Sequence, residues 1–268
     1  MLLQNRNAVI HGGGGAIGGA VARTFAREGA HVFLAGRTLA KLEAVARDIR
    51  AAGGHAEIAQ VDALDEDAVN RHADAVAAQA GGIDIALNAA GFVHVQGTPF
   101  TELSLDEFMH PVVAYTRSNF LTAKAAARHM QGAGAEGAGV ILTLSTPGAR
   151  LSGSGFLGNG VSSAAVEAFS RILAGELGGR GIRVVCLRPH AIPEAVPLSH
   201  TREVFQGFAT RAGITVEAML EENLRTATLL GRLPTLAQVA ECAAFLASDR
   251  AGAMTGAIAN LSCGALVD

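Results

Sequence analysis

The chain has 268 residues, of which 50% are apolar and 17% are charged, and its net charge is −3. This length suits one domain spanning residues 1–268, and the apolar content excludes an intrinsically disordered protein. The small negative charge argues against general binding to nucleic acid or to an anionic membrane. Three widely spaced cysteines (Cys186, Cys242 and Cys263) predict neither a disulfide framework nor a metal site. With no signal-peptide pattern at the start, we expect a cytoplasmic protein.

Short β-branched strands alternate with longer Ala-rich helices along the chain. The pattern predicts strands at 7–11, 31–35, 56–61, 83–87, 140–144, 182–187 and 257–261, helices at 16–28, 39–52, 66–80, 112–130 and 162–177, and a Gly/Ala loop from Gln131 to Gly139. Such alternation requires right-handed crossovers between parallel strands. We therefore expect an α/β fold, a doubly wound, seven-stranded parallel sheet of the Rossmann type with helices on both faces.

Residues 191–232 break this alternation, because they form a long and mostly helical segment after the sixth strand. Ligands of open α/β sheets bind beyond the carboxyl ends of the strands. We expect this insertion to cover the substrate as a lid.

The first strand runs directly into a glycine-rich turn. Gly13, Gly15 and Gly18 fit the pattern G-x-G-x-x-G between a strand and a helix. Residues without a Cβ let the backbone approach a pyrophosphate, and the helix start offers unpaired N–H groups. The turn predicts a dinucleotide cofactor.

The second strand is followed by Arg37 and Thr38, where an NAD-binding chain would carry Asp or Glu. The planar guanidinium of arginine suits a 2′-phosphate. The prediction is NADP(H) rather than NAD(H), with an exposed loop arginine as the alternative interpretation of Arg37.

Several further motifs resemble those of the short-chain dehydrogenase/reductase family over the whole chain. They are the Gly12-x-x-x-Ala16-x-Gly18 turn, Asp62 after the third strand, Asn88-Ala89-Ala90-Gly91 after the fourth, Arg188-Pro189 after the sixth, and residues 244–249. The resemblance implies that Asp62 contacts the adenine and that Asn88 and Gly91 line the cofactor channel. Within the same cofactor site we include Ile17, Ala63 and Ala89.

At the catalytic positions the chain departs from the family. Aligned without gaps, Asn159 stands at the family's tyrosine, Ser163 at its lysine, Thr146 (or its neighbour Ser145) at its serine and Tyr115 at its helical asparagine. The chain has one tyrosine, so no shift of the alignment restores the Tyr-x-x-x-Lys pair. The hydroxyls of Thr146 and Ser163 can still polarise a carbonyl, whereas Asn159 cannot deliver a proton.

Three residues are candidates to replace the missing acid. Tyr115 carries a phenol on the central helix, although a packed aromatic is an equal interpretation. His190 follows the sixth strand near the expected nicotinamide, and its alternative is a solvent-facing loop histidine. His94, three residues past Gly91, is expected to form a wall of the substrate pocket.

The leading hypothesis is an NADP(H)-dependent oxidoreductase acting on a small apolar ketone, an imine or an activated alkene. One alternative is a catalytically silent NADP(H)-binding protein, either a sensor or a structural subunit. Another is non-redox chemistry with a structural nucleotide. The polar cluster of Thr146, Asn159, Ser162 and Ser163 favours the first.

The predicted helix at 162–177 is apolar over more than one face. A helix that covers one side of a sheet needs a single apolar stripe, so a second subunit is expected to bury the remainder. The resemblance implies assembly through the two central helices. We expect a homotetramer.

Overall fold

A computed structural model of the protein describes residues 1–130 and 139–267. In chain order the elements are β1 (Asn7–His11), α1 (Ala16–Arg27), β2 (His31–Gly36), α2 (Leu39–Ala51), β3 (His55–Gln60), α3 (Glu66–Ala80), β4 (Ile85–Asn88), α4 (Leu105–His129), β5 (Val140–Leu144), α5 (Leu157–Gly178), β6 (Arg183–Pro189), α6 (Thr201–Ala212), α7 (Val216–Ala218), α8 (Leu236–Ala247) and β7 (Ile258–Leu261). The seven strands pair in parallel in the order β3-β2-β1-β4-β5-β6-β7. The predicted doubly wound α/β fold is confirmed.

The sheet has a separate apolar core on each face. On one face, Ile10 and Leu34 belong to a cluster that includes Phe25 of α1 and residues of α2 and α8. On the other, Val9 and Phe33 belong to a cluster with residues of α3, α4 and α5. Consecutive residues of a strand point to opposite faces, which explains why neighbours such as Val9 and Ile10 enter different cores. Burial on both faces fixes the strand ends that carry the site.

Helices α4 and α5 both begin earlier than the sequence pattern predicts. α4 starts at Leu105 rather than Val112, because Ser104 and Glu107 form a reciprocal capping box and Pro111 is accommodated within the helix. α5 starts at Leu157 rather than Ser162. Apart from Gly139, the predicted loop from Gln131 to Gly139 lies outside the described residues.

The segment 191–232 contains α6, α7 and a π-helical turn at Met219–Leu224. It has a small core of its own, which includes Val196, Ala209, Val216 and Leu220. Across the described ranges, none of the helices has the length and apolarity needed to cross a bilayer.

Candidate active site

A cleft of about 690 Å³ lies beyond the carboxyl ends of the central strands. The turn after β1, the residues after β4, and the loops after β5 and β6 all contribute to its walls. β1 lies between β2 and β4, so the strand order reverses direction here. Ligands of doubly wound sheets bind at this kind of switch point.

The glycine turn forms one end of the cleft. Gly12 has a φ of +76°, and a Cβ there would collide with the carbonyl oxygen of Ala89. Gly12, Gly15 and Ile17 line the cleft. Gly13 and Gly18 do not. A Cβ at Gly18 would collide with the carbonyl oxygen of Gly12, so this glycine serves the close packing of α1 beneath the turn.

The start of α1 is open to an anion. Its N-cap, Gly15, offers no side-chain hydrogen bond, and its first turn contains no acidic residue. The first N–H groups of such a helix lack intrahelical partners and carry the positive end of its dipole. The turn therefore suits a pyrophosphate.

Two exposed cations line the cleft beside this turn. Arg37 follows β2, and Lys41 lies in the first turn of α2. Neither takes part in an ion pair among the described residues. On the adjacent wall lie Asp62 and Ala63, and the Asp62 carboxylate accepts a hydrogen bond from the Leu64 N–H at 3.0 Å.

The residues after β4 form the opposite wall. The Asn88 amide donates to Ser118 Oγ at 3.1 Å, and its oxygen accepts the Ala90 N–H at 3.1 Å. Ala89 and Gly91 also line the cleft. Gly91 lies against the ring of His200, and a Cβ at residue 91 would collide with that ring.

His200, which the sequence analysis missed, therefore reaches into the cleft from the start of α6. Burial is the main cause that lowers the pKa of His200, and the cations Lys41 and Arg37 lower it further, while Glu203 opposes them. No motif spacing points to a lone histidine in an irregular segment, so only the fold could identify it.

Three side chains predicted as catalytic form one hydrogen-bonded group. Thr146 Oγ1 lies 2.9 Å from Ser163 Oγ, and the Asn159 amide donates to Thr146 Oγ1 at 3.3 Å. Asn159 and Ser163 are buried, and all three line the cleft. The structure brings together three members of the polar cluster that the sequence analysis describes.

The fourth predicted residue, Tyr115, lies across from this group. Its hydroxyl accepts the Phe92 N–H at 3.4 Å, and its ring meets those of Phe92 and His94 edge-on. Burial raises the pKa of Tyr115. A proton-donating tyrosine needs its pKa lowered, so the surroundings shift this phenol in the wrong direction.

His94 is buried in the wall next to Tyr115. Its Nδ1 lies 2.8 Å from the carbonyl oxygen of Phe92, and its Nε2 lies 2.9 Å from the Gln96 amide nitrogen. The neighbouring Asn159 side chain raises the pKa of His94, as the Phe92 carbonyl does, but burial dominates and the pKa is lowered. Gln96 was not anticipated from the sequence.

His190 lines the cleft at the end of β6 and is half-buried rather than solvent-facing. Its Nδ1 accepts the Ala191 N–H at 2.6 Å, and burial lowers its pKa. Asn119, one helical turn beyond Tyr115, is a further residue that the sequence analysis missed. Its Oδ1 is buried without a hydrogen-bond partner among the described residues, and the residue lines the cleft, so it can accept a hydrogen bond from a ligand.

The far end of the cleft is apolar and lies under α6. It is lined by Phe92, Leu151, Phe156, Phe205, Phe208 and Met219. The rings of Phe156 and Phe208 lie 4.6 Å apart. α6 packs directly against the backbone of Gln96. A Cβ at Gly207 would collide with the Gln96 carbonyl oxygen.

Comparison with known proteins gives consistent matches over almost the whole chain. Residues 14–265 match the family model described as enoyl-(acyl carrier protein) reductase. The chain is 32% identical over 256 residues to the uncharacterized oxidoreductase YxbG of Bacillus subtilis (strain 168), covering 95% of this chain and 88% of that protein. It is 31% identical over 259 residues to (+)-borneol dehydrogenase 2 of Salvia officinalis, covering 95% and 87%.

The solved structures agree with these sequence matches. A short chain dehydrogenase from Burkholderia cenocepacia J2315 in complex with NADP superposes with a TM-score of 0.83 at 25% identity, covering 99% of each chain. The open helix start, the glycine turn and the cations beside it fit an NAD(P)(H) cofactor. With the match of residues 14–265, they show that this chain is an oxidoreductase of the short-chain dehydrogenase/reductase family.

Proposed function

We propose that the protein is a cytoplasmic, NADP(H)-dependent oxidoreductase that acts on a small apolar ketone, an imine or an activated alkene through a non-standard catalytic site. The observation that carries the proposal is one continuous cleft. It joins the glycine turn to the hydrogen-bonded group of Thr146, Asn159 and Ser163 and then to an apolar end. A silent binding protein has no need for a polar group between the cofactor and an apolar pocket.

The preference for the phosphorylated cofactor rests on charge. Arg37 and Lys41 line the cleft without an acidic partner in an ion pair among the described residues. A charge-assisted hydrogen bond from a guanidinium to a 2′-phosphate is stronger than one to a hydroxyl. The related Burkholderia structure in complex with NADP supports the same assignment.

The bound nicotinamide would supply or accept a hydride. Residues of this chain then have to stabilise the charge that hydride transfer creates on the substrate. Thr146 and Ser163 share one hydrogen bond, so one of their two hydroxyl protons remains available to a substrate oxygen. The Asn159 amide holds Thr146 in place. Preorganised donors of this kind stabilise a developing negative charge without delivering a proton.

The substrate class follows from the lining under α6, where aromatic and aliphatic side chains form the wall. We propose that residues 191–232 are the lid over this pocket. The relative named borneol dehydrogenase supports an apolar carbonyl or alcohol as substrate. Imines and activated alkenes also suit the site, since they depend less on an acid.

The test is steady-state oxidation of NADPH over a panel of apolar ketones, imines and enoyl thioesters, with the reverse reaction followed from NADP+ and apolar alcohols. We expect turnover with at least one class and a higher rate with NADPH than with NADH. Tight NADPH binding without hydride transfer to any member would replace the proposal with the silent binding protein. A preference for NADH would remove the assignment of Arg37.

A further inference from the structure

We propose that His94 is the proton-transferring residue of this site, with its Nε2 as the base when an alcohol is oxidised and as the acid when a carbonyl is reduced. This inference rests on the proposed oxidoreductase function. It assigns the role that neither Asn159 nor Ser163 can perform.

The hydrogen bonds of His94 fix its tautomer. A carbonyl oxygen can only accept, so the 2.8 Å contact with Phe92 requires the proton on Nδ1. The neutral ring then carries its lone pair on Nε2. The Gln96 amide, 2.9 Å away, donates to this lone pair. The Phe92 carbonyl therefore fixes Nδ1, whereas the basic Nε2 accepts from the Gln96 side chain. A substrate hydroxyl can displace that side chain.

His94 lies near the hydrogen-bonded group of Thr146, Asn159 and Ser163. Asn159 is close enough to the His94 ring to raise its pKa, and the Asn159 amide donates to Thr146 Oγ1 at 3.3 Å. Thr146 in turn lies 2.9 Å from Ser163 Oγ. Among the described residues of this group, His94 alone has a side chain whose ordinary pKa lies near neutrality. A substrate oxygen that accepts the free hydroxyl proton of Thr146 or Ser163 would lie in the cleft that His94 also lines.

The two competing residues, Tyr115 and His190, lack a group that could take up a substrate proton. Tyr115 keeps its proton, because burial raises its pKa. The neutral form of His190 has its acceptor nitrogen engaged with the Ala191 N–H at 2.6 Å. That partner is backbone and cannot rotate away. His190 therefore has no available lone pair for a substrate proton.

Each oxidation removes one hydride and one proton from the alcohol, and each reduction returns both. In oxidation, the hydride leaves the carbinol carbon for the nicotinamide of NADP+. The O–H bonding electrons become the second C–O bond, and the released proton forms a bond with Nε2. In reduction, each change runs in reverse, and the Nε2 proton passes to the oxygen of the carbonyl.

The protonation state of His94 sets how the rate in each direction depends on pH. Burial is the largest influence and lowers its pKa, and the neighbouring His200 and His110 lower it further, while Phe92 and Asn159 raise it. Tyr115, which contacts the ring, stays neutral. The base form is thus present at neutral pH. Alcohol oxidation should reach a plateau there, and carbonyl reduction should accelerate as the pH falls through the pKa of His94.

The kinetic experiment compares wild type with His94→Gln, which keeps hydrogen-bonding capacity but cannot carry a proton. The matched control is His190→Gln in the same cleft. We expect kcat for alcohol oxidation to fall by about 10²- to 10⁴-fold in His94→Gln, with loss of the pH dependence. NADP+ binding should be unchanged, and His190→Gln should keep the wild-type pH profile.

The second measurement does not depend on turnover. Nitrogen NMR of histidine-labelled protein bound to NADP+ should show one imidazole, absent in His94→Gln, that is protonated on Nδ1 and shifts at Nε2 when a substrate alcohol is added. A His94 ring protonated on Nε2 in the wild type would overturn the proposal, whatever the activity of the variant. If His94→Gln retains the full wild-type turnover, the role proposed for His94 is wrong and the proposed oxidoreductase function stands. If the wild type shows no turnover, both the role of His94 and the proposed function are wrong.

Discussion

Arg188 and Glu167 form a bidentate ion pair next to residues that line the cleft. Arg188 Nε lies 2.7 Å from Glu167 Oε1, and Nη2 lies 2.9 Å from Oε2. Both residues are buried, and Ser145 Oγ donates to Oε1 at 2.8 Å. Because Ser145 precedes Thr146, the pair between β6 and α5 holds the loop that presents the Thr146 hydroxyl.

The first prediction concerns this ion pair. Arg188→Met should lower the free energy of unfolding by about 3–5 kcal/mol, because it leaves the Glu167 carboxylate buried without its charge partner. Adding Glu167→Leu should restore much of that loss. Urea unfolding measures both. Arg23→Met, which removes an exposed pair with Asp48, is the control and should cost at most about 1 kcal/mol. An equal loss from both single variants would contradict the burial argument.

Acid should destabilise the protein through two histidines, His11 at the end of β1 and His72 in α3. Burial lowers the pKa of His11 to about 3 and that of His72 to about 4. The unfolded chain protonates both near 6.5, so between that pH and the folded values it binds more protons than the native state. Each then reduces stability by up to about 1.4 kcal/mol per pH unit of acidification.

This pH effect is measured by urea unfolding at intervals from pH 8 to pH 5. His72→Gln should flatten the dependence relative to wild type, whereas His55→Gln, at an exposed histidine, should leave it unchanged. A stability that stays constant over this range would show that His11 and His72 are not buried in their neutral forms.

The cofactor prediction concerns Arg37. Arg37→Asp should weaken NADPH binding by about 10- to 100-fold, since it removes a charge-assisted hydrogen bond and places a carboxylate near the 2′-phosphate. The same change should improve NADH binding. Fluorescence titration with both cofactors tests the reversal. Arg47→Asp on the exposed side of α2 carries the same charge change outside the cleft and should leave the preference intact.

Restoring the family's catalytic pair should impair this protein rather than improve it. Asn159 and Ser163 are buried and hydrogen-bonded to their neighbours. A tyrosine at 159 would fill the space beside His94, and a lysine at 163 would add a charge next to Thr146. We expect Asn159→Tyr with Ser163→Lys to abolish the native turnover while cofactor binding remains. New ketone reduction in the double variant, absent from wild type, would instead indicate a degraded standard site.

The last prediction is the homotetramer. Val161, Ala164, Ala168 and Ile172 share the outer face of α5, and Ile172 is 62% exposed. On the neighbouring α4, Val113 is 48% exposed and Phe120 is 51% exposed. Contact with another copy would bury these side chains. Light scattering at micromolar concentration should give the mass of four chains, and Ile172→Glu should reduce it. A wild-type monomer would contradict the prediction.

The sheet and the glycine turn could be predicted because their signals are local. Apolar strands, alternating helices and glycines at the end of β1 each constrain the chain within a few residues. The contacts of His94 and His200 could not be predicted from local signals. His94 gains its significance from Asn159, and His200 from Gly91, partners that are distant in sequence and depend on packing. The sequence pattern predicts the starts of α4 and α5 too late. Pro111 obscures the first turns of α4, and small residues obscure those of α5.

We expect the packing of α6 on the Gln96 carbonyl to couple two events. Gly207 contacts the same short segment that orients the Gln96 amide towards His94. If residues 191–232 open as the proposed lid, α6 would release this segment together with the Gln96 amide that donates to His94 Nε2. Release of product and recovery of the proposed base would then occur in one motion. A larger residue at 207 would change the rate of recovery as well as the range of molecules admitted.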